Sequence, residues 1–82
     1  MKNLINFLVR CRKENALFSI QECAYHCKVS EMTVRNFENG NFVNVNVLCY
    51  YIACAVIKKP EYANEIVNYF KEAREDFIND RK

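Results

Sequence analysis

The chain has one glycine, one proline, one histidine and no tryptophan. A turn-rich β fold needs many punctuation residues, so a single Gly and a single Pro argue against one and point to helices. No apolar segment approaches the roughly 20 residues that cross a bilayer. The opening "MKNLINFLVRCRKEN" is broken by Asn6 and closed by Arg10 with no small-residue cleavage site behind it, so it does not read as an export signal. There is no Gly-rich phosphate loop and no pair of acids in an evident cleft, and His26 stands alone, so an enzyme is not expected. Cysteine is not scarce. Five of them, an odd number, are expected to be reduced thiols in a cytoplasmic protein.

What is present suits a single small domain. Of 82 residues, 51% are hydrophobic and 13% aromatic, enough for a compact core without staples. The net charge of +2 does not by itself demand a nucleic-acid partner, but its distribution is uneven. Residues 1–59 carry eight Lys/Arg against four Asp/Glu, whereas residues 60–82 carry four against six. A basic body with an acidic tail suits one nucleic-acid face and one face for something else; ordinary solubility would produce the same count.

Apolar spacing predicts five helices. Leu4, Leu8 and Cys11, with Ile5 beside them, mark a first over about residues 2–15. "SIQE" from Ser19 is a capping box opening a second, with Ile20, Cys23, Ala24 and Cys27 on its apolar side. Ser30 caps a third, in which Val34 and Phe37 face inward and Gly40 supplies a left-handed stop. Asn44 caps a fourth, "VNVLCYYIACAV", apolar on nearly every side and expected to be the most buried. Pro60 is well placed to open a fifth, with Tyr62, Ile66, Tyr69, Phe70, Ala73 and Phe77 as its stripe. Residues 1–59 then form a four-helix body and residues 60–82 a C-terminal amphipathic helix.

Two capped helices joined by a short turn make helices two and three a helix-turn-helix candidate. Ala24 gives the small residue their crossing needs, and Val29 plugs the turn. At this point "CRKENALFSIQECAYHCKVSEMTVRNFENG", with the later "LCYYIACAV", resembles the Cro/lambda-repressor (XRE) type of helix-turn-helix domain. The resemblance spans roughly residues 4–57 and is most specific at Val29–Gly40. It implies an all-α, five-helix fold and a sequence-specific double-stranded DNA-binding regulator of transcription. Such proteins are typically dimeric, and here a repressor from a phage, plasmid or bacterium is expected. Three departures stand out. Ile20 occupies the place of the usual backbone-clamping Gln, Lys28 the place of the usual turn Gly, and one residue is added between helices one and two.

The resemblance implies that Ser30–Asn39 enters the major groove, with Glu31, Met32, Arg35 and Asn36 meeting base edges. Arg suits guanine, Asn suits adenine, and Met offers only an apolar contact. Gln21, Thr33, Asn39, Asn41 and Asn44 are placed for phosphate or sugar, where they position rather than specify. Arg12 and Glu38 match the family's structural ion pair. A solvated helix face would carry the same exposed residues, and a helix-turn-helix can also serve as a protein-binding module, such as an antirepressor or an inhibitor of a DNA-associated protein. One short recognition helix reads too few bases, so a homodimer on a palindromic operator is expected, joined through Tyr69, Phe70 and Phe77 of helix five and helped by helix four. "CAYHCK" gathers Cys23, His26 and Cys27, with Cys11, Cys49 and Cys54 elsewhere. These fall inside helices rather than in zinc-knuckle turns, so they read as small core hydrophobes, with no metal or cofactor expected.

Overall fold

The computed structural model describes residues 1–80, with side chains through residue 75. Five helices follow one another: α1 (Lys2–Glu14), α2 (Ile20–Cys27), α3 (Glu31–Glu38), α4 (Val45–Lys58) and α5 (Tyr62–Asp80). No strand occurs among the described residues. No described helix is long and apolar enough to cross a membrane.

Three helix starts follow from side chains that accept from free backbone donors. Ser19 accepts from the Glu22 amide while Glu22 reaches back to the Ser19 amide, a full capping box. Ser30 accepts from the Thr33 amide and Asn44 from the Val47 amide. Each such cap is worth about 1 kcal/mol. Three helix ends share one geometry. Ala16 (φ 49°), Lys28 (φ 58°) and Gly40 (φ 76°) all sit in the left-handed region, at twelve-residue intervals. At each, the left-handed residue's amide bonds a carbonyl three back, and the next amide bonds one five residues before itself. Those second bonds are Leu17 to Arg12, Val29 to Ala24 and Asn41 to Asn36. This is the Schellman closure. Only one of the three carries the glycine that makes it easy.

The core gathers Leu4, Ile5, Phe7, Leu8 and Cys11 of α1 with Cys23 and Ala24 of α2, Val34 and Phe37 of α3, and Val47, Leu48, Tyr51 and Ala55 of α4. Phe18 from the α1–α2 connection and Ile66 from α5 complete it. The first helix, not the fourth, buries the most. The expectation that α4 is the most buried helix is overturned: Val45 and Ile57 are 67% and 81% exposed, and Cys49 and Ala53 are exposed too. The other four helices all touch α4, yet among the described residues they leave this one strip of it uncovered. The fifth helix starts at Tyr62, two residues after Pro60. It closes over α1 through Phe7, whose ring lies 5.4 Å from both Tyr62 and Tyr69.

Candidate nucleic-acid interface

α2 and α3 pack closely on one another, and α3 is held from behind. Val34 and Phe37 have no exposed surface. Glu38 is fixed by Arg12, whose Nε and Nη2 donate to its two carboxylate oxygens at 2.7 and 3.2 Å. Both side chains are only 14% exposed. Burial alone would lower the Arg12 pKa, but the hydrogen bond and charge of Glu38 outweigh it and hold that pKa above its ordinary value. Arg12 also donates to the Phe18 carbonyl at 3.3 Å, tying the α1–α2 connection to the same point. The Tyr51 hydroxyl donates to Glu38 at 2.6 Å. The Arg12–Glu38 pair is therefore present as expected, and Tyr51 is its third member. Sequence reasoning missed Tyr51, although a phenol in the most apolar helix needs a polar partner.

Helical geometry puts Met32 and Asn39 opposite the buried Val34 and Phe37, with Arg35 on one flank of that outer face and Asn36 on the other. Glu31, Met32, Arg35 and Asn39 are exposed, Met32 to 62%. Asn36 is half-buried. Glu31 and Arg35 lie one turn apart with 3.8 Å between charges, both more than half exposed. Such a pair is weak, on the order of 0.3–0.5 kcal/mol.

The residues expected at phosphates divide. Gln21, in the first turn of α2, is exposed, as are Asn39 and Asn41 beyond the end of α3. Thr33 is half-buried and its hydroxyl lies 3.0 Å from that of Ser30. Asn44 uses its side-chain oxygen as the α4 cap, which leaves its NH₂ as the donor. No family model, curated protein or solved structure matches this chain.

A cleft of about 300 Å³ opens between α1, α2 and α3, lined by Arg12, Lys13, Ile20, Arg35, Glu38 and Asn39. Ile20 is half-buried there. A glutamine at that place could reach both α3 and a phosphate; isoleucine can only pack. Lys13 and Arg35 are the exposed cations at its rim. At the turn, Lys28 takes up the left-handed conformation that a glycine would adopt freely.

The thiols are mostly structural. Cys11 and Cys23 are buried, Cys27 and Cys54 half-buried. Burial, and next the neighbouring Cys27, push the Cys23 thiol up to about 12, which keeps it protonated and unreactive near neutrality. Cys49 departs from the expectation of core packing, since it is exposed on α4. Among the described residues no three His, Cys, Asp or Glu side chains come together as a metal site. On α5, Tyr69 is half-buried against Phe7, Phe70 is 41% exposed, and the Phe77 side chain lies outside the described residues.

Proposed function

We propose that this chain is a sequence-specific double-stranded DNA-binding regulator of the Cro/lambda-repressor type, with α3 as the recognition helix in the major groove. One observation carries the reading. α3 is anchored on its inner side by Val34, Phe37 and the Arg12–Glu38–Tyr51 cluster, while Met32, Arg35 and Asn39 on its outer side have no part in the core. A short helix fixed from behind and chemically varied in front is what direct readout requires. Arg35 and Asn36 are the base readers, Met32 an apolar contact, and Gln21, Asn39, Asn41 and the Asn44 amide the backbone contacts. Repression is the outcome that needs least beyond occupancy, because a bound operator blocks polymerase without any further contact. Two copies on a palindrome give the selectivity one helix lacks, with half-sites about 34 Å apart.

A protein-binding role is the second reading. It is favoured by the Glu31–Arg35 pair, which neutralises the outer face, and by the exposed Met32. Selection from a random duplex library, followed by titration against the winning site at several salt concentrations, separates the two. The DNA reading expects a single enriched motif, a steep fall in affinity with salt, and loss of about 1–3 kcal/mol for Arg35→Ala. Unchanged binding to the selected site by an Arg35→Ala, Asn36→Ala variant, or no enrichment at all, refutes it.

A further inference from the structure

Between Glu38 and Lys58 the chain carries no charged residue. That stretch contains the whole of α4 but its last residue, and one side of α4 is left uncovered by the described residues. Val45, Cys49, Ala53 and Ile57, spaced four apart, are all exposed, with Ile52 and Val56 half-buried along the edge. Phe42 and Val43, exposed in the loop that enters α4, extend the apolar surface at that end. We propose that this face of α4 is a self-association surface, covered by the same face of a second copy crossing antiparallel about a twofold axis. The proposal names the seam of the homodimer put forward above. It moves that seam from α5 to α4, and it stands on the α4 face whether or not the chain reads DNA.

Three features select a second copy over a different partner. A twofold contact sets one patch against itself, so any net charge on the patch meets its own sign. This face has none, and for the same reason it has no field with which to choose or steer a foreign partner. The side chains also complement one another in that arrangement. With the axis near residue 51, an antiparallel pair sets Val45 against the partner's Ile57 at both ends. Cys49 then meets the partner's Ala53 in the middle. Small residues at the centre let the backbones approach, and large ones fill the ends. The area is also adequate for a modest dimer. With a fully buried Phe at roughly 150–250 Å² and Val, Ile, Cys and Ala each below that, the partly exposed side chains of this surface offer on the order of 500 Å² of apolar area per copy. A standard interface uses about 800 Å² per partner, rim included. Among its described side chains α5 offers less: Tyr69 is committed to Phe7, which leaves Val67 and Phe70.

The register makes a specific covalent test possible. The two Cys49 residues lie about 6 Å apart along the helix axes, at 1.5 Å per residue, within reach of a short bis-maleimide. Sedimentation equilibrium without DNA should show a monomer–dimer equilibrium at micromolar concentration. A short bis-maleimide should trap the dimer, and Cys49→Ser should abolish trapping while leaving the equilibrium intact. Ala53→Glu sets two acids near the axis and should weaken association at least about tenfold. Since Ala53 is exposed, its melting temperature should stay near the parent value, and Ile57→Lys provides a second variant should the first misfold. A monomer at high micromolar concentration overturns the proposal. So does a dimer that survives both charged variants, or one lost on Phe70→Lys alone. A monomer that still binds a selected duplex removes the α4 seam and leaves the DNA reading standing.

Discussion

Replacing Lys28 by glycine should stabilise this protein, although it deletes a side chain and adds no contact. Lys28 ends α2 at φ 58° and ψ 44°, where the Cβ of an L-residue crowds the following carbonyl at a cost of about 1–2 kcal/mol. Glycine removes that strain but gains freedom in the unfolded chain, which takes back about 0.5–1 kcal/mol. Losing a cation at the C-terminus of α2 takes back a few tenths more, on the order of 0.3 kcal/mol. The net gain is about 0.5 kcal/mol, a rise of roughly 2–4 °C for a domain of this size. Ala16→Gly relieves the same strain at φ 49° with no charge to lose, so its gain should be the larger. Gly40→Ala runs the experiment backwards. An added Cβ there meets no atom within 4 Å, so its cost, about 1 kcal/mol, is conformational alone. Far-UV circular dichroism melts and urea titrations under reducing conditions read all three. Destabilisation by both glycine variants, with Gly40→Ala neutral, would refute the strain assignment.

Tyr51→Phe keeps the ring packed between Phe18 and Phe37 but removes the donor to Glu38; urea denaturation should show a loss of about 1–2 kcal/mol, since the acceptor is charged. Arg12→Met should cost more, about 2–3 kcal/mol, because Glu38 is then left half-paired at low exposure; equal costs for the two would mean the ion pair is worth no more than the phenol's hydrogen bond. Stability should be flat to about pH 8.5 and then fall toward pH 12. Burial raises Cys23 from 9.0 to about 12 and Tyr50 from 10.0 to about 12, so over that window the unfolded chain has lost protons the folded one keeps, and the slope against pH is negative. A melting temperature that rises between pH 9 and 11 would contradict it. Glu31→Gln should tighten binding to random duplex DNA, relax preference at one base pair and cost the fold less than about 1 kcal/mol. If it leaves every DNA affinity unchanged and abolishes capture of a protein partner, α3 is a docking surface.

Local chemistry was the most readable part of the fold. Ser19, Ser30 and Asn44 cap helices because a short polar side chain before an apolar-periodic segment can do little else, and Val34 and Phe37 are buried because their spacing leaves no other face. The Arg12–Glu38 pair came from family resemblance; nothing in the spacing of two residues 26 apart announces it. What escaped reading depends on tertiary neighbours. Phe7 is off the simplest α1 stripe yet lies under two tyrosines of α5. The left-handed Ala16 is invisible in sequence because alanine marks no turn. α4 misled through its own composition: a helix apolar all round does not say which side is covered, and here its outer side is not. Asn36 stands with the base readers through the family resemblance, position for position, and a resemblance does not register that Asn36 is half-buried here.

On the proposed DNA reading the acid at the head of α3 is the least expected feature, and magnitudes decide what it can do there. Glu31 stabilises the α3 N-terminus by a few tenths to about 1 kcal/mol and holds Arg35 in a pair worth on the order of 0.3–0.5 kcal/mol. A bidentate Arg–guanine contact discriminates by about 1–3 kcal/mol, so the correct base can draw Arg35 away from Glu31 at small cost. With a wrong base, Arg35 gains nothing by leaving, and the neutral pair remains, offering phosphates little attraction. A cytosine amino group beside the freed carboxylate would add an acceptor contact of the same order. On the proposed DNA reading, the pair should thus lower affinity for DNA in general by more than it lowers affinity for one sequence. Discrimination of this kind uses repulsion as well as attraction. It also requires Glu31 and Arg35 to act together. In a double-mutant cycle with Arg35→Ala on the selected duplex, the two substitutions should therefore be non-additive by at least about 0.5 kcal/mol; strict additivity would mean that the acid and the arginine meet DNA independently.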